Sequence, residues 1–256
     1  MTAKRLEFFA LEDLPMVQRG DDVAALIIAA VERAEARLDT HDVVIIAQKI
    51  VSKAEGRLFI LDDVEVSAEA AKLAQETEKD PRVVELILRE SKRIVRSRPG
   101  LIIAEHRLGF IMANAGIDMS NTGGPSGKEC ALLLPLDSDL SASAIKSKLD
   151  QHFGAEVGVV INDSFGRPWR HGTMGVAIGA AGLPSIIDLR GEPDLDGREL
   201  LVSISGFADE IAAGASLLMG QGNEGRPVVI AKGLHWQAPE TPVADMIRPA
   251  EGDLFR

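Results

Sequence analysis

The sequence Val157-Gly158-Val159-Val160-Ile161-Asn162-Asp163-Ser164-Phe165-Gly166-Arg167-Pro168-Trp169-Arg170 joins an apolar run to a broken, charged turn. A run rich in β-branched residues and closed by turn signals predicts a buried strand. Its end carries a carboxylate, Asp163, and a hydroxyl, Ser164, to the strand's carboxyl end. Side chains there are held rigidly while facing an open loop, which suits a site. Taken alone, the segment reads equally well as a surface turn with a satisfied aspartate.

The chain around it has 256 residues, enough for one large domain or two small ones. With 46% hydrophobic and 26% charged residues it has the composition of a soluble globular protein. A net charge of -11 argues against nucleic acid as a partner, because the phosphate backbone selects basic surfaces. A nucleotide site stays open, since metal-bridged carboxylates attract phosphate through the metal. Cys130 is the only cysteine, so an intrachain disulfide and a thiolate cluster are excluded. The start of the chain lacks the apolar core of a signal peptide, and no apolar run is long enough to span a bilayer. The expected setting is the cytoplasm, with no membrane partner.

Outward from the opening stretch, residues 6–16 suggest an edge strand broken by Pro15, and residues 23–38 an amphipathic helix capped from Gly20-Asp21-Asp22. Residues 43–47 predict a short buried strand that runs straight into Gln48 and two lysines four apart, Lys49 and Lys53. Such lysines suit a polyanion, or are solvated surface. Helices follow over 67–79 and 81–89, the second with Asp80 as cap and Pro81 at its first position. The basic run 91–98 faces either an anion or water. After a strand at 101–104, small residues surround Asn114, Asp118 and Asn121, which lets a ligand come close. His106 reads as a satisfied histidine. Residues 141–153 predict a helix, and the Gly- and Ala-rich 172–182 predict close backbone packing or a ligand passage.

Two glycine-rich segments imitate nucleotide motifs. Gly123-Gly124-Pro125-Ser126-Gly127-Lys128-Glu129 has short spacing, and Glu129 stands where a phosphate loop needs Ser or Thr. Gly220-Gln221-Gly222-Asn223-Glu224-Gly225 matches the dinucleotide fingerprint, but follows a helical segment and precedes a strand. That order is the reverse of what places phosphate at a helix N-terminus. The loop can still offer its own amides to phosphate. Asp118 and Asp163, with no paired histidines, favour Mg2+ or Mn2+ over zinc.

At these residues the sequence resembles the coenzyme F420-0:L-glutamate ligase family, the gamma-glutamyl ligases of deazaflavin coenzyme biosynthesis. The matching segments are QKIVSKAEGR, KDPRVVELILRESKRIVR, GFIMANAGIDMSN, INDSFGRPWR, VAIGAAGL, DLRG with the later GREL, and ADEIAAGASLLMGQGNEGRPVV, spread over most of the chain. The resemblance implies an α+β fold with mixed and antiparallel sheets and packed helices, in an intertwined homodimer. We expect one catalytic unit over 1–256, with two subdomains as an open alternative. It also implies GTP-dependent addition of L-glutamate to the coenzyme precursor through a γ-linked amide, with two divalent ions, Mg2+ or Mn2+, and K+.

Carried over by motif, Asp118 and Asp163 hold one divalent ion, and Ser164, where the family usually has threonine, holds a second with Gln221. GTP contacts fall on Leu14, Pro15, Met16, Val17, Gln48, Lys49, Lys53 and Asn121. They continue through Met219, Gly220, Gln221, Gly222, Asn223, Glu224, Gly225 and Arg226. The chemistry expected is attack of the precursor's carboxylate on the γ-phosphate of GTP, then opening of the acyl phosphate by the glutamate amine. Arg167 and Arg170 are expected to clamp a carboxylate or phosphate, because arginine pairs bidentately with both. Trp169 is expected to pack in the core or stack on a flat ring. The alternatives are an amide ligase of the same fold for another carboxylate acceptor, and a non-catalytic metal–nucleotide module.

Overall fold

The computed structural model describes residues 4–254, so the expectation placed on the first three residues falls outside it. The first half of the chain runs β1 (Glu7–Leu11), α1 (Val23–Arg33), β2 (Val43–Ala47), α2 (Gln48–Ala54), β3 (Leu58–Ile60), α3 (Ala68–Thr77), α4 (Pro81–Glu90), β4 (Ser91–Arg98), β5 (Leu101–His106) and β6 (Ile111–Ala113). The second half runs β7 (Cys130–Leu132), α5 (Ser138–Phe153), β8 (Gly158–Arg167), β9 (Arg170–Ala181), β10 (Ile187–Asp188), β11 (Ile204–Ser205), α6 (Phe207–Met219) and β12 (Val228–Lys232). The architecture is α+β with mixed and antiparallel sheets. No helix among the described residues is long and apolar enough to cross a membrane.

The main sheet has the order β1-β12-β2-β8-β9, with β2 and β8 parallel and the other pairs antiparallel. Its central strands are apolar without alternation because both faces are covered. Val44, Ile46, Val159 and Ile161 face α1 and α5, whereas Val43, Ile45 and Val160 face α6. Burying each such side chain contributes about 1.5–3 kcal/mol, which fixes the register of the pair. The glycine-rich segment is β9, and its glycines serve packing on opposite faces. A Cβ on Gly175 would lie 2.3 Å from the Ala212 carbonyl oxygen of α6, and one on Gly179 2.3 Å from that of Ser138 in α5.

A second core lies apart from this sheet. Val83, Val84, Leu86 and Ile87 of α4 pack with Ala70 and Ala74 of α3 onto Ile102 and Ala104 of β5. Asp80 accepts from Arg82 N and Pro81 opens α4, as the sequence predicts. At the end of α4, Glu90 Oε2 meets Arg57 Nη2 at 2.8 Å, Arg107 Nε at 3.2 Å and His106 Nε2 at 3.3 Å. His106 is fully buried, and its Nδ1 accepts from Leu108 N at 3.0 Å, so Nε2 carries the ring proton. It is a satisfied histidine. Burial pushes the Glu90 carboxyl up, but bonds from His106 and Arg57 and the charges of Arg57 and Arg107 outweigh it and hold it at about 2.

Three expectations need correction. Helix α1 ends at Arg33 rather than near Leu38, because Ala34 leaves helical geometry and Glu35 is left-handed. Asp163 is not at the end of its strand: β8 continues to Arg167, paired with β9 in a long hairpin. Trp169 sits on the hairpin turn at φ +67° and is 88% exposed, not core. The basic run at 91–98 is β4, and its Lys92, Arg93, Arg96 and Arg98 are exposed, the water-facing alternative, with Arg93 paired to Glu105.

Candidate functional site

The parallel pair sets the site. The last residues in parallel register are Ala47 and Asn162. Beyond them β2 turns directly into α2, while β8 carries Asp163 and Ser164 onward along β9. The carboxyl ends of two parallel strands thus part at one place, and a cleft of about 730 Å³ opens there. Three other segments close around it: residues 14–17 after β1, residues 118–123, and the glycine loop that follows α6.

Asp118 reaches the cleft from the second core. It is anchored by a two-way bridge to Leu132, with N–H to O distances of 3.0 and 2.8 Å. Asn114 and Ala115, just before it, are left-handed at φ +52° and +51°, a tight turn that small residues allow. Asp118 Oδ1 accepts from both the N–H and the hydroxyl of Ser120 at 2.7 Å, and Oδ2 lies 2.6 Å from Lys49 Nζ. Lys49 also donates to the Ser120 carbonyl at 3.2 Å and hydroxyl at 3.1 Å. One turn along α2, Lys53 donates to the Asn121 carbonyl at 2.9 Å. Asn121 Nδ2 in turn donates to the Gly222 carbonyl at 3.1 Å, which ties the two loops together across the cleft.

The charges are unevenly compensated. Burial pushes Asp163 up to about 6, with the nearby Asp118 charge adding to it, against the Ser164 N–H and Lys49. Although Asp163 keeps partial solvent access as a residue, the protein packed around its carboxyl strips away water. Burial acts on Asp118 too, but Lys49 and the two Ser120 donors outweigh it and hold the carboxyl below the ordinary range. Lys53 is pushed down, first by burial and then by Lys49. Two buried polar atoms of cleft residues have no protein partner: Gln48 Nε2, whose Oε1 takes the Ser52 hydroxyl at 2.8 Å, and Asn162 Oδ1. Buried groups without partners carry a free-energy cost that a bound ligand or water can relieve.

This donor set accommodates a hard divalent cation only in company. Among the described residues no cluster of three or more His, Cys, Asp or Glu is placed to hold a metal. Two carboxylates suffice for Mg2+ or Mn2+ when substrate phosphates supply further oxygens. The ammonium of Lys49 lies against the Asp118 carboxylate and both Ser120 oxygens.

Residues 13–233 match the family described as F420-0:Gamma-glutamyl ligase. The chain belongs to that family. The protein named coenzyme F420:L-glutamate ligase in Methanothermobacter thermautotrophicus is 44% identical over 253 residues, covering 98% of this chain and 99% of the relative. The protein of the same name in Methanopyrus kandleri is 46% identical over 254 residues, covering 96% and 97%. That of Halobacterium salinarum is 40% identical over 255 residues, covering 97% and 94%. The family resemblance read from the motifs is therefore upheld.

Of the family positions named from the sequence, Leu14, Pro15, Met16, Val17, Gln48, Lys49, Lys53, Asp118, Asn121, Asp163 and Ser164 all line the cleft. So do Met219, Gly220, Gln221, Gly222, Asn223, Gly225 and Arg226. Glu224 does not: its carboxylate turns back to accept from Gly222 N at 2.9 Å and braces the loop. Arg167 and Arg170 also lie outside the lining, out along the hairpin, where Arg167 donates to the Gly172 carbonyl at 3.1 Å. Sequence reasoning passed over Ser120, Asn162 and Ser216, which line the cleft too. The Asp-x-Ser spacing of an Asx-turn would have pointed to Ser120. Ser216 has no local signal, because only the packing of α6 on Gly175 brings it there.

Proposed function

We propose that this chain is a GTP-dependent ligase that joins L-glutamate, through a γ-linked amide, to the deazaflavin precursor F420-0 in coenzyme F420 biosynthesis. The observation that carries the reading is the convergence of Asp118, Asp163, Lys49, Lys53 and a glycine loop on one cleft. The names borne by the family relatives support the choice of substrates.

The reaction needs a carboxylate made reactive toward an amine. An oxygen of the precursor's carboxylate attacks the γ-phosphorus of GTP, and the bond from that phosphorus to the bridging oxygen breaks to release GDP. The glutamate amine then attacks the acyl carbon, phosphate leaves, and the amine loses a proton. Lys49 and Lys53 neutralise phosphate charge, and the amides of the glycine loop orient the phosphates. Gln48 and Asn121 add fixed polar contacts. Asp118 and Asp163 would hold one divalent ion, Mg2+ or Mn2+, with Ser164 and Gln221 offering oxygens to a second. Bound there, such ions supply charge neutralisation at the transferring phosphoryl group. K+ enters this reading on the family resemblance alone.

The reading includes a homodimer. Four large apolar side chains stand out from the surface, Trp169 on the β8–β9 turn and Leu195, Leu201 and Val202 around β10 and β11, each at least 74% exposed. Large apolar side chains left this exposed are ones that a subunit contact would cover. Light scattering at a dimer's mass is the expected result, and a monomer at micromolar concentration removes this part.

Purified protein incubated with GTP, Mn2+, L-glutamate and F420-0 should yield product heavier by one or more glutamyl units. GTP binding without any product would point instead to a non-catalytic nucleotide module. Product only with another carboxylic acid would point to a sister ligase.

A further inference from the structure

The reading above gives Lys49 to the nucleotide, but the structure places its ammonium elsewhere. Nζ lies 2.6 Å from Asp118 Oδ2 and within 3.2 Å of both Ser120 oxygens. Carboxylate, hydroxyl and carbonyl are the oxygen donors that a hard cation takes. Asp118 Oδ1 is already engaged twice by Ser120, so the oxygen left for an incoming ion is the one that Lys49 holds.

We infer that Lys49 is a displaceable counter-cation: it neutralises Asp118 on the oxygen that a metal would take, and is driven onto phosphate when metal and nucleotide arrive together. The inference rests on the reading that Asp118 and Asp163 share a divalent ion. An ion within bonding distance of Asp118 Oδ2 and an ammonium on the same oxygen repel strongly in a half-buried cleft. Metal alone must expel Lys49 from Asp118, and the other carboxylate near it, Asp163, is taken by the same ion. Metal with GTP gives the lysine a new partner, because a flexible four-carbon stem lets the ammonium swing to phosphate. The exchange keeps Asp118 compensated in both states and couples the two ligands. Each should raise affinity for the other by the same factor, as linkage requires. Lys53 cannot do this, since its partner is the Asn121 carbonyl and not a carboxylate.

The test uses Mn2+ alone, read by the electron paramagnetic resonance of free ion, and then Mn2+ with a non-hydrolysable GTP analogue. Lys49→Met keeps the stem and removes the charge. It is expected to bind Mn2+ alone at least about tenfold more tightly than the wild type, yet to bind the analogue more weakly, so that the coupling factor collapses. Lys53→Met should weaken the analogue and tighten Mn2+ alone by much less than Lys49→Met does, since Lys53 feels Asp118 only through space and does not sit on its oxygen. If Lys49→Met unfolds, Lys49→Gln replaces it with the same expected signs. Unchanged or weaker binding of Mn2+ alone in a folded Lys49 variant overturns the inference and leaves Lys49 as a phosphate contact only. Wild-type protein that takes up no Mn2+ even with the analogue overturns the ligase reading, and this inference with it.

Discussion

Two charged clusters divide the chemistry of this molecule, and they differ in how completely their charges are answered. Around Glu90, one buried carboxylate faces two guanidiniums and a histidine that is itself satisfied on both ring nitrogens. Around Asp163, a dehydrated carboxylate lies near a second one, and the nearest ammonium is committed to Asp118. The first cluster holds the second core in place. The second is electrostatically incomplete; unpartnered amide atoms of Gln48 and Asn162 line its cleft, whereas Arg57 Nη2 in the first cluster, though without a well-aligned hydrogen bond, is answered by the Glu90 charge at 2.8 Å. The contrast separates structure from site without any appeal to residue type, since both clusters use the same acids and bases.

Breaking the satisfied cluster should have the largest effect. Glu90→Ala leaves Arg57 and Arg107 facing each other with no counter-charge, and removing one partner of a buried pair costs about 3–5 kcal/mol. Urea unfolding should show that loss, while turnover per folded molecule stays near wild type. The pH dependence follows from the folded value of about 2, below the ordinary 4.5. The stability Glu90 contributes is present above about pH 4.5 and is lost as pH falls toward 2. The wild type should therefore lose stability across that window, and the variant should be flatter there.

The incomplete cluster should respond in the opposite sense. Asp163→Asn is expected to cost about a hundredfold or more in ligase rate, on the scale of removing one preorganised electrostatic group. Its stability should not fall. The folded carboxyl titrates at about 6 against an ordinary 3.8, so the proton's stabilisation is complete below about 3.8 and is lost as pH rises through 6. Asn cannot ionise. In chelator-treated protein the variant should match the wild type near pH 4 and melt higher near pH 8. A lower melting point at pH 8 would place Asp163 with the satisfied group instead.

Packing beneath the cleft comes next in size. Gly175→Ala would press a methyl 2.3 Å from the Ala212 carbonyl oxygen and 2.8 Å from Asn162 Oδ1. Overpacking of this kind costs about 1–3 kcal/mol, and here it also pushes away the helix that carries the glycine loop. Nucleotide affinity and stability should fall together, which neither charge substitution does.

How much of this was legible in the sequence depends on how local its cause is. The strand at 43–47, the cap Asp80 with Pro81, and the reversed order around the glycine loop follow from period and turn chemistry within a few residues. The end of β8 does not. Residues 162–167 are too polar to read as strand, and they are extended because β9, beyond the turn, supplies their hydrogen bonds. The same gap misplaced Trp169 and hid that the hairpin carries Arg167 and Arg170 beyond the residues that line the cleft. Nor could local sequence distinguish the lysine ringed by carboxylate and serine from an ordinary surface lysine, since Ser120 and Lys49 are 71 residues apart.

The smallest effect belongs to a contact that joins this hairpin to the glycine loop. Thr173 Oγ1 donates to Gln221 Oε1 at 3.3 Å, and through the ladder Thr173 sits opposite Gly166, two pairs along from Ser164 and Gly175 and so on the same face. The hydroxyl thus orients the Gln221 oxygen on the side of the cleft where Ser164 also stands. Thr173→Val keeps the shape and removes the donor, while Thr173→Ser keeps the donor. An exposed hydrogen bond of this length is worth about 0.5–1.5 kcal/mol at most. The valine variant should raise the metal concentration needed for half-maximal rate by a few-fold, leave unfolding by urea unchanged, and be rescued by serine. Equal metal dependence in all three proteins would mean that Gln221 is positioned by its own loop, through Asn121 and Glu224, and that the hairpin contributes Asp163 and Ser164 alone.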